Sequence, residues 1–136
     1  MESYKTVLAA VLLLAAVAVS GCTSTGNVAT RVDAGTGAVK EFYMESFYTI
    51  EDGKPHPQFS VKEIAVDRGD TVRIHVNATN GAHDFKIDEF GVYSPTPTGQ
   101  VTTIEFVAGE SGEFVYYCNM PQHRQNGQWG TLKVLA

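Results

Sequence analysis

Apolar and polar residues alternate one for one through several runs in the second half of this chain. Val72, Ile74 and Val76 share one parity, and Arg73, His75 and Asn77 share the other. Val101, Thr103 and Glu105 alternate with Thr102, Ile104 and Phe106; Phe114, Tyr116 and Cys118 oppose Val115 and Tyr117; Leu132 and Val134 alternate with Lys133 and Leu135. A two-residue period sends successive side chains to opposite faces, as a strand does and a helix does not. Turn-forming groups separate the runs: Glu51-Asp52-Gly53, Arg68-Gly69-Asp70, Asn80-Gly81, Ser94-Pro95-Thr96-Pro97 and Gly109-Glu110-Ser111-Gly112. No stretch of residues 38–136 sustains a helical period. Short strands between regular turns predict an all-β domain over 38–136, a sandwich or barrel. Phe85, Phe90, Phe106, Phe114 and Trp129 are the expected bulk of its core. Residues 38–57 carry Phe42, Met44, Phe47, Tyr48 and Ile50, apolar enough for a first strand or strand pair of unassigned register.

The first residues have another composition. Leu8, Leu12, Leu13 and Leu14 all precede residue 15, and the rest of the chain holds only Leu132 and Leu135. Val7 to Val19 is an unbroken apolar run, shorter than the ~20 residues of a membrane span and within the length of a signal-peptide core. It ends in Val19-Ser20-Gly21-Cys22, which resembles a lipobox, where signal peptidase cuts before a cysteine that carries lipid. The expectation is a signal peptide over 1–21, lipidation of Cys22, and a flexible tether over 22–37 rich in Thr, Ser, Gly and Ala. The mature domain is then extracytoplasmic and lipid-anchored to a membrane, periplasmic or at the cell surface. Ten Lys and Arg against fifteen Asp and Glu give a net charge of −5, which argues against nucleic acid as a partner. Two cysteines, Cys22 and Cys118, rule out a disulfide-dense scaffold and a four-cysteine zinc site.

The chemistry gathers near the C-terminus. In Tyr117-Cys118-Asn119-Met120-Pro121-Gln122-His123, Cys and His stand five apart where a strand runs into a loop. A second histidine, His83, follows the Asn80-Gly81 turn. One thiolate with two imidazoles is a soft set of three donors, suited to copper cycling between Cu(I) and Cu(II), and acceptable to zinc. His56 and His75 read as surface histidines, one in a Pro-flanked loop and one on the polar face of its strand. Asp84 and Asn119, each beside a donor, are expected to hydrogen-bond and shape the donor loops.

These residues resemble the cupredoxin family over about 58–136. Phe59 to Val66 and Arg68-Gly69-Asp70-Thr71-Val72 look like its early strands and Gly-Asp turn. His83-Asp84-Phe85 looks like its first ligand segment. Tyr117-Cys118-x-x-Pro121-x-His123 and Gly127-Gln128-x-Gly130-x-Leu132-x-Val134 look like its ligand loop and last strand. The resemblance implies a Greek-key β-sandwich, one mononuclear type 1 copper held by His83, Cys118 and His123, and electron transfer.

The chain departs from the family where an axial Met commonly stands five residues after the second His: it has Gln128. A Gln oxygen is a harder donor, used by stellacyanin-like members, and favours Cu(II). Alternatively Gln128 swings away and leaves an open position. Met120 matches no axial position. A binuclear centre needs a second Cys in the loop, where this chain has Gln122. The leading expectation is therefore a monomeric one-electron carrier rather than an enzyme, meeting redox proteins transiently. Met120, Pro121 and Trp129 are its expected apolar docking patch. The alternatives are an open copper site acting on a small molecule such as a nitrogen oxide, and a copper-delivery protein, which the lack of Met-rich or His-rich tracts disfavours.

Overall fold

The computed structural model describes residues 37–136, and the expected signal peptide, Cys22 and nearly all of the tether lie outside them. The described residues form nine strands: β1 (Val39–Glu51), β2 (Lys54–Phe59), β3 (Glu63–Asp67), β4 (Thr71–Ala78), β5 (His83–Ile87), β6 (Val92–Thr96), β7 (Val101–Val107), β8 (Gly112–Tyr117) and β9 (Trp129–Leu135). They make two sheets, of order β2-β1-β4-β7 and β3-β9-β8-β5-β6. β1 runs parallel to β4 and β3 parallel to β9; the other pairs are antiparallel. Among the described residues, no helix is long and apolar enough to cross a membrane.

The alternation becomes burial. Val72, Ile74, Val76 and Ala78 of β4 are fully buried, while Arg73, His75 and Asn77 face outward. Leu132 and Val134 meet Ile64 and Val66 across the parallel pair β3–β9. Phe59, Phe85 and Tyr116 pack ring against ring at 5.4–5.9 Å, joining the two sheets in the core. Each fully buried side chain of this kind contributes roughly 1.5–3 kcal/mol relative to exposure.

Trp129 departs from expectation: it is 46% exposed. Gly130, Leu132 and Val134 take the inward parity of β9, so Trp129 shares the outer face with Thr131 and Lys133. The Ser94–Pro97 turn is also displaced. Ser94, Pro95 and Thr96 belong to β6, and the turn falls at Pro97–Gln100, closed by Gln100 N–H to Pro97 O. β6 is an edge strand, where the missing N–H of Pro95 is tolerated.

Residues 38–57 supply most of a long hairpin. Asp52 (φ 50°) and Gly53 (φ 73°) form its two-residue turn, with both residues in the left-handed region that hairpin twist favours. His56 lies within β2, opposite Thr49, rather than in a loop. β2 tolerates Pro55 and Pro57 because it too is an edge strand.

Candidate metal centre

One end of the sandwich collects the chemistry-bearing residues. His83 opens β5, Cys118 follows the last residue of β8, and Gln128 precedes β9. His123 lies in the loop between β8 and β9. One donor atom from each of His83, Cys118 and His123 falls within 4.8 Å of the others. Gln128 joins them: its Oε1 is 2.9 Å from Nδ1 of His83 and 2.9 Å from Nδ1 of His123. Sγ of Cys118 lies 3.3 Å from the same His123 nitrogen.

Backbone bonds fix the loop that carries three of these residues. Cys118 N–H donates to Gln128 O, Gln128 N–H to His123 O, and His123 N–H to Met120 O. The loop also folds over the outer face of the second sheet. Arg124 sits 4.1 Å above the Tyr117 ring, and the Tyr117 hydroxyl donates to Asp88. Gln122 adopts φ 66°, a strained value for a side-chain-bearing residue, directly before His123.

The turn before β5 is equally fixed. Asn80 brackets β1: Tyr48 N–H donates to Asn80 Oδ1, and Asn80 Nδ2 donates to Tyr48 O. Gly81 (φ 76°) lets the chain pass Tyr48, since a Cβ there would lie 2.9 Å from the Tyr48 ring. Asp84 links the two donor loops. Its N–H donates to Cys118 Sγ at 3.4 Å, and its carboxylate accepts from Asn119 N–H. Asn119 thus ties the loops through its backbone.

Protonation follows from these contacts. Nε2 of His83 lies 2.7 Å from the Asn80 carbonyl, which only accepts, so Nε2 carries the proton. Burial lowers the pKa of His83 and keeps its ring neutral, leaving a bare lone pair on Nδ1. Burial pushes the Cys118 thiol up to about 11. Gln128 is fully buried, and its amide nitrogen points away, to Ser46 Oγ at 2.7 Å and Gln58 O at 3.3 Å. Its oxygen therefore faces the imidazoles. Two lone-pair atoms 2.9 Å apart beside a thiol call for a shared positive charge, a proton or a metal ion. Sulfur, two imidazole nitrogens and one amide oxygen fit a single copper ion.

The histidines outside this group stay apart from it. His75 stacks on Tyr43 and meets Thr103 on the outer face of the first sheet. His56 lies 3.9 Å from Glu51 near the hairpin tip. Ser46, Asn80 and Lys62 were not expected at the centre. Asn80 was visible only as a turn residue, and nothing in the local sequence marks the other two.

No family model matches the sequence, and no curated protein matches it. Solved structures do. A copper nitrite reductase from Nitrosomonas europaea superposes with TM-score 0.62 at 19% identity, over 71% of this chain and 41% of that one. Dithionite-reduced auracyanin from Roseiflexus castenholzii gives 0.56 at 20%, over 74% of this chain and 100% of that one. The metal-binding domain of the Streptococcus pneumoniae D39 Cu(I)-exporting P-type ATPase CopA, solved with Cu(I), gives 0.57 at 16%, over 72% and 87%. The chain thus spans well under half of the nitrite reductase and all of the auracyanin. The fold these likenesses establish is that of the cupredoxins. Its neighbours are cupredoxin-fold copper proteins, and a His-Cys-His group stands at one end of its sandwich.

Proposed function

We propose that this protein is a mononuclear type 1 copper protein that carries single electrons, with His83, Cys118 and His123 as strong ligands and Gln128 as a weak fourth. The observation that carries this reading is the convergence of four donor atoms whose side chains and backbone are already held by hydrogen bonds. Copper supplies a one-electron couple between Cu(I) and Cu(II). The chain's own residues supply a rigid frame, so little rearrangement accompanies the change of charge. Asn80 holds the His83 ring and Asp84 N–H contacts the Cys118 sulfur.

His123 is the natural port for electrons. It lines a groove of about 470 Å³ with Tyr48, Ile50, Pro55, Ala82, Met120 and Pro121. Such an apolar collar suits brief contact with a redox protein, in interfaces that commonly bury less than ~1,200 Å². Trp129 lies with Val115, Arg124 and Gln125 along another concavity and stands outside this collar. The net charge of −5 favours a partner with a positive rim, so the association rate falls as salt rises. Lipidation at Cys22 would keep the domain at an extracytoplasmic membrane surface. Replacing Cys22 by Ala then releases the protein from membranes.

Copper loading tests the central reading. The expected result is an intense thiolate-to-copper absorption band that Cys118→Ser abolishes; a loaded protein without that band overturns it. Azide distinguishes a closed carrier from an open site that binds small molecules. A closed site leaves the paramagnetic resonance spectrum unchanged. Gln128→Met should raise the reduction potential, because a thioether stabilises Cu(II) less than an amide oxygen does.

A further inference from the structure

The amide of Gln128 is held from behind. Its nitrogen meets two acceptors, the Ser46 hydroxyl at 2.7 Å and the backbone carbonyl of Gln58 at 3.3 Å. A carbonyl cannot donate, so the amide nitrogen must face Gln58. The oxygen is then forced toward His83 and His123. Ser46 makes the shorter of the two bonds and is itself fully buried.

Ser46 is well placed to act as a fixed stop. It lies in β1, where it pairs with Ala78 of β4 and with Phe59 of β2. Its carbonyl accepts from Thr79 N–H, at the start of the turn that leads to His83. Gln58 is held as well. Lys62 Nζ donates to Gln58 Oε1 at 2.6 Å and to Gly127 O at 2.8 Å, joining β2 to the residue before Gln128. Ser46 and Gln58 belong to the first sheet, while Gln128 leads into β9 of the second. The amide therefore crosses between the sheets, with its nitrogen end anchored in one and its chain in the other.

We infer that Ser46 is a positioning residue that fixes the Gln128 amide with its oxygen toward the metal, and so sets the fourth donor. This rests on the copper reading for its effect on potential, but not for its effect on the amide. Without the hydroxyl, Gln128 keeps only the longer bond to Gln58, and its oxygen can retreat. The site then behaves more like one with three strong ligands.

Ser46→Ala removes one oxygen and leaves the backbone pairing of β1 in place. In the metal-free protein, hydrogen exchange of the Gln128 side-chain NH₂, followed by NMR, should speed up about tenfold, the effect of losing one buried hydrogen bond. Unchanged exchange overturns the inference whether or not copper binds. In the copper-loaded protein, Ser46→Ala should raise the reduction potential. In a Gln128→Met background the same substitution should produce no further shift, because Met has no amide to hold. An equal shift in both backgrounds means that Ser46 acts elsewhere and sinks the proposal. Failure of the unmodified protein to take up copper would defeat the copper reading, while the exchange measurement would still decide the role of Ser46.

Discussion

The two imidazoles that face Cys118 stand in opposite circumstances. His83 is buried, its far nitrogen bonded to Asn80 O, and its turn bracketed to β1 through Tyr48. His123 is partly exposed, and its ring lines the groove beside Met120 and Pro121. Both present Nδ1 to the same Gln128 oxygen at the same distance. The contrast separates two tasks that one metal centre must combine. The buried side holds the geometry, and the exposed side meets the outside.

Removing each ring gives the largest test of that contrast. His83→Gly and His123→Gly should both abolish the thiolate-to-copper band. Added imidazole should restore it in His123→Gly, where the gap opens to solvent, and fail to do so in His83→Gly. Equal rescue, read by absorption titration, would erase the distinction.

The next test concerns protons on the buried side. The Cys118 thiol, raised to about 11, is protonated at neutral pH, and His83 is neutral. Metal uptake should therefore release the thiol proton. Apparent affinity should rise about tenfold per pH unit near neutrality, measured against a competing chelator. Because the folded thiol titrates above its ordinary value of 9.0, the metal-free fold should also lose stability as pH rises from 9 toward 11. An affinity independent of pH would mean that the thiol is already ionised.

Smaller effects come from the backbone on each side. Gly81→Ala drives a Cβ against Tyr48 at a positive φ and should cost about 1–3 kcal/mol in urea unfolding. Gln122→Gly, beside His123, relieves a left-handed strain and should change stability by less than about 1 kcal/mol in the same assay. If Gly81→Ala were the milder of the two, the His83 side would not be the rigid one.

Most of the second half of the fold was legible in the sequence. The strict alternation in β4, β8 and β9 named their buried faces, whereas the expectation of a core Trp129 ran against the parity of Leu132 and Val134 and failed. A first strand pair was legible in residues 38–57, but the register of β1 was not, for a physical reason. Met44 and Ser46 are its only fully buried residues, its last residues are mostly exposed, and its parallel partner β4 is not its neighbour in sequence. The two prolines of β2 read as loop because edge placement cannot be seen in a linear pattern. The convergence of His83, Cys118, His123 and Gln128 followed from spacing and family resemblance. What holds them did not, since Ser46 lies 82 residues from Gln128 and is an ordinary strand residue by type.

The parallel course of β1 and β4 has a directional consequence. Val39 pairs with Thr71 at the end of the sandwich where Gly37 N–H meets Gly69 O and Arg68 N–H meets Leu135 O. Seven residues further on, ~23 Å at ~3.3 Å each, Ser46 stands at the level of the donor cluster. The backbone thus enters at the pole remote from His123, and β9 finishes there too. The described backbone therefore begins and ends at the base of the sandwich, and the His123 crown stands at the opposite pole, clear of both ends.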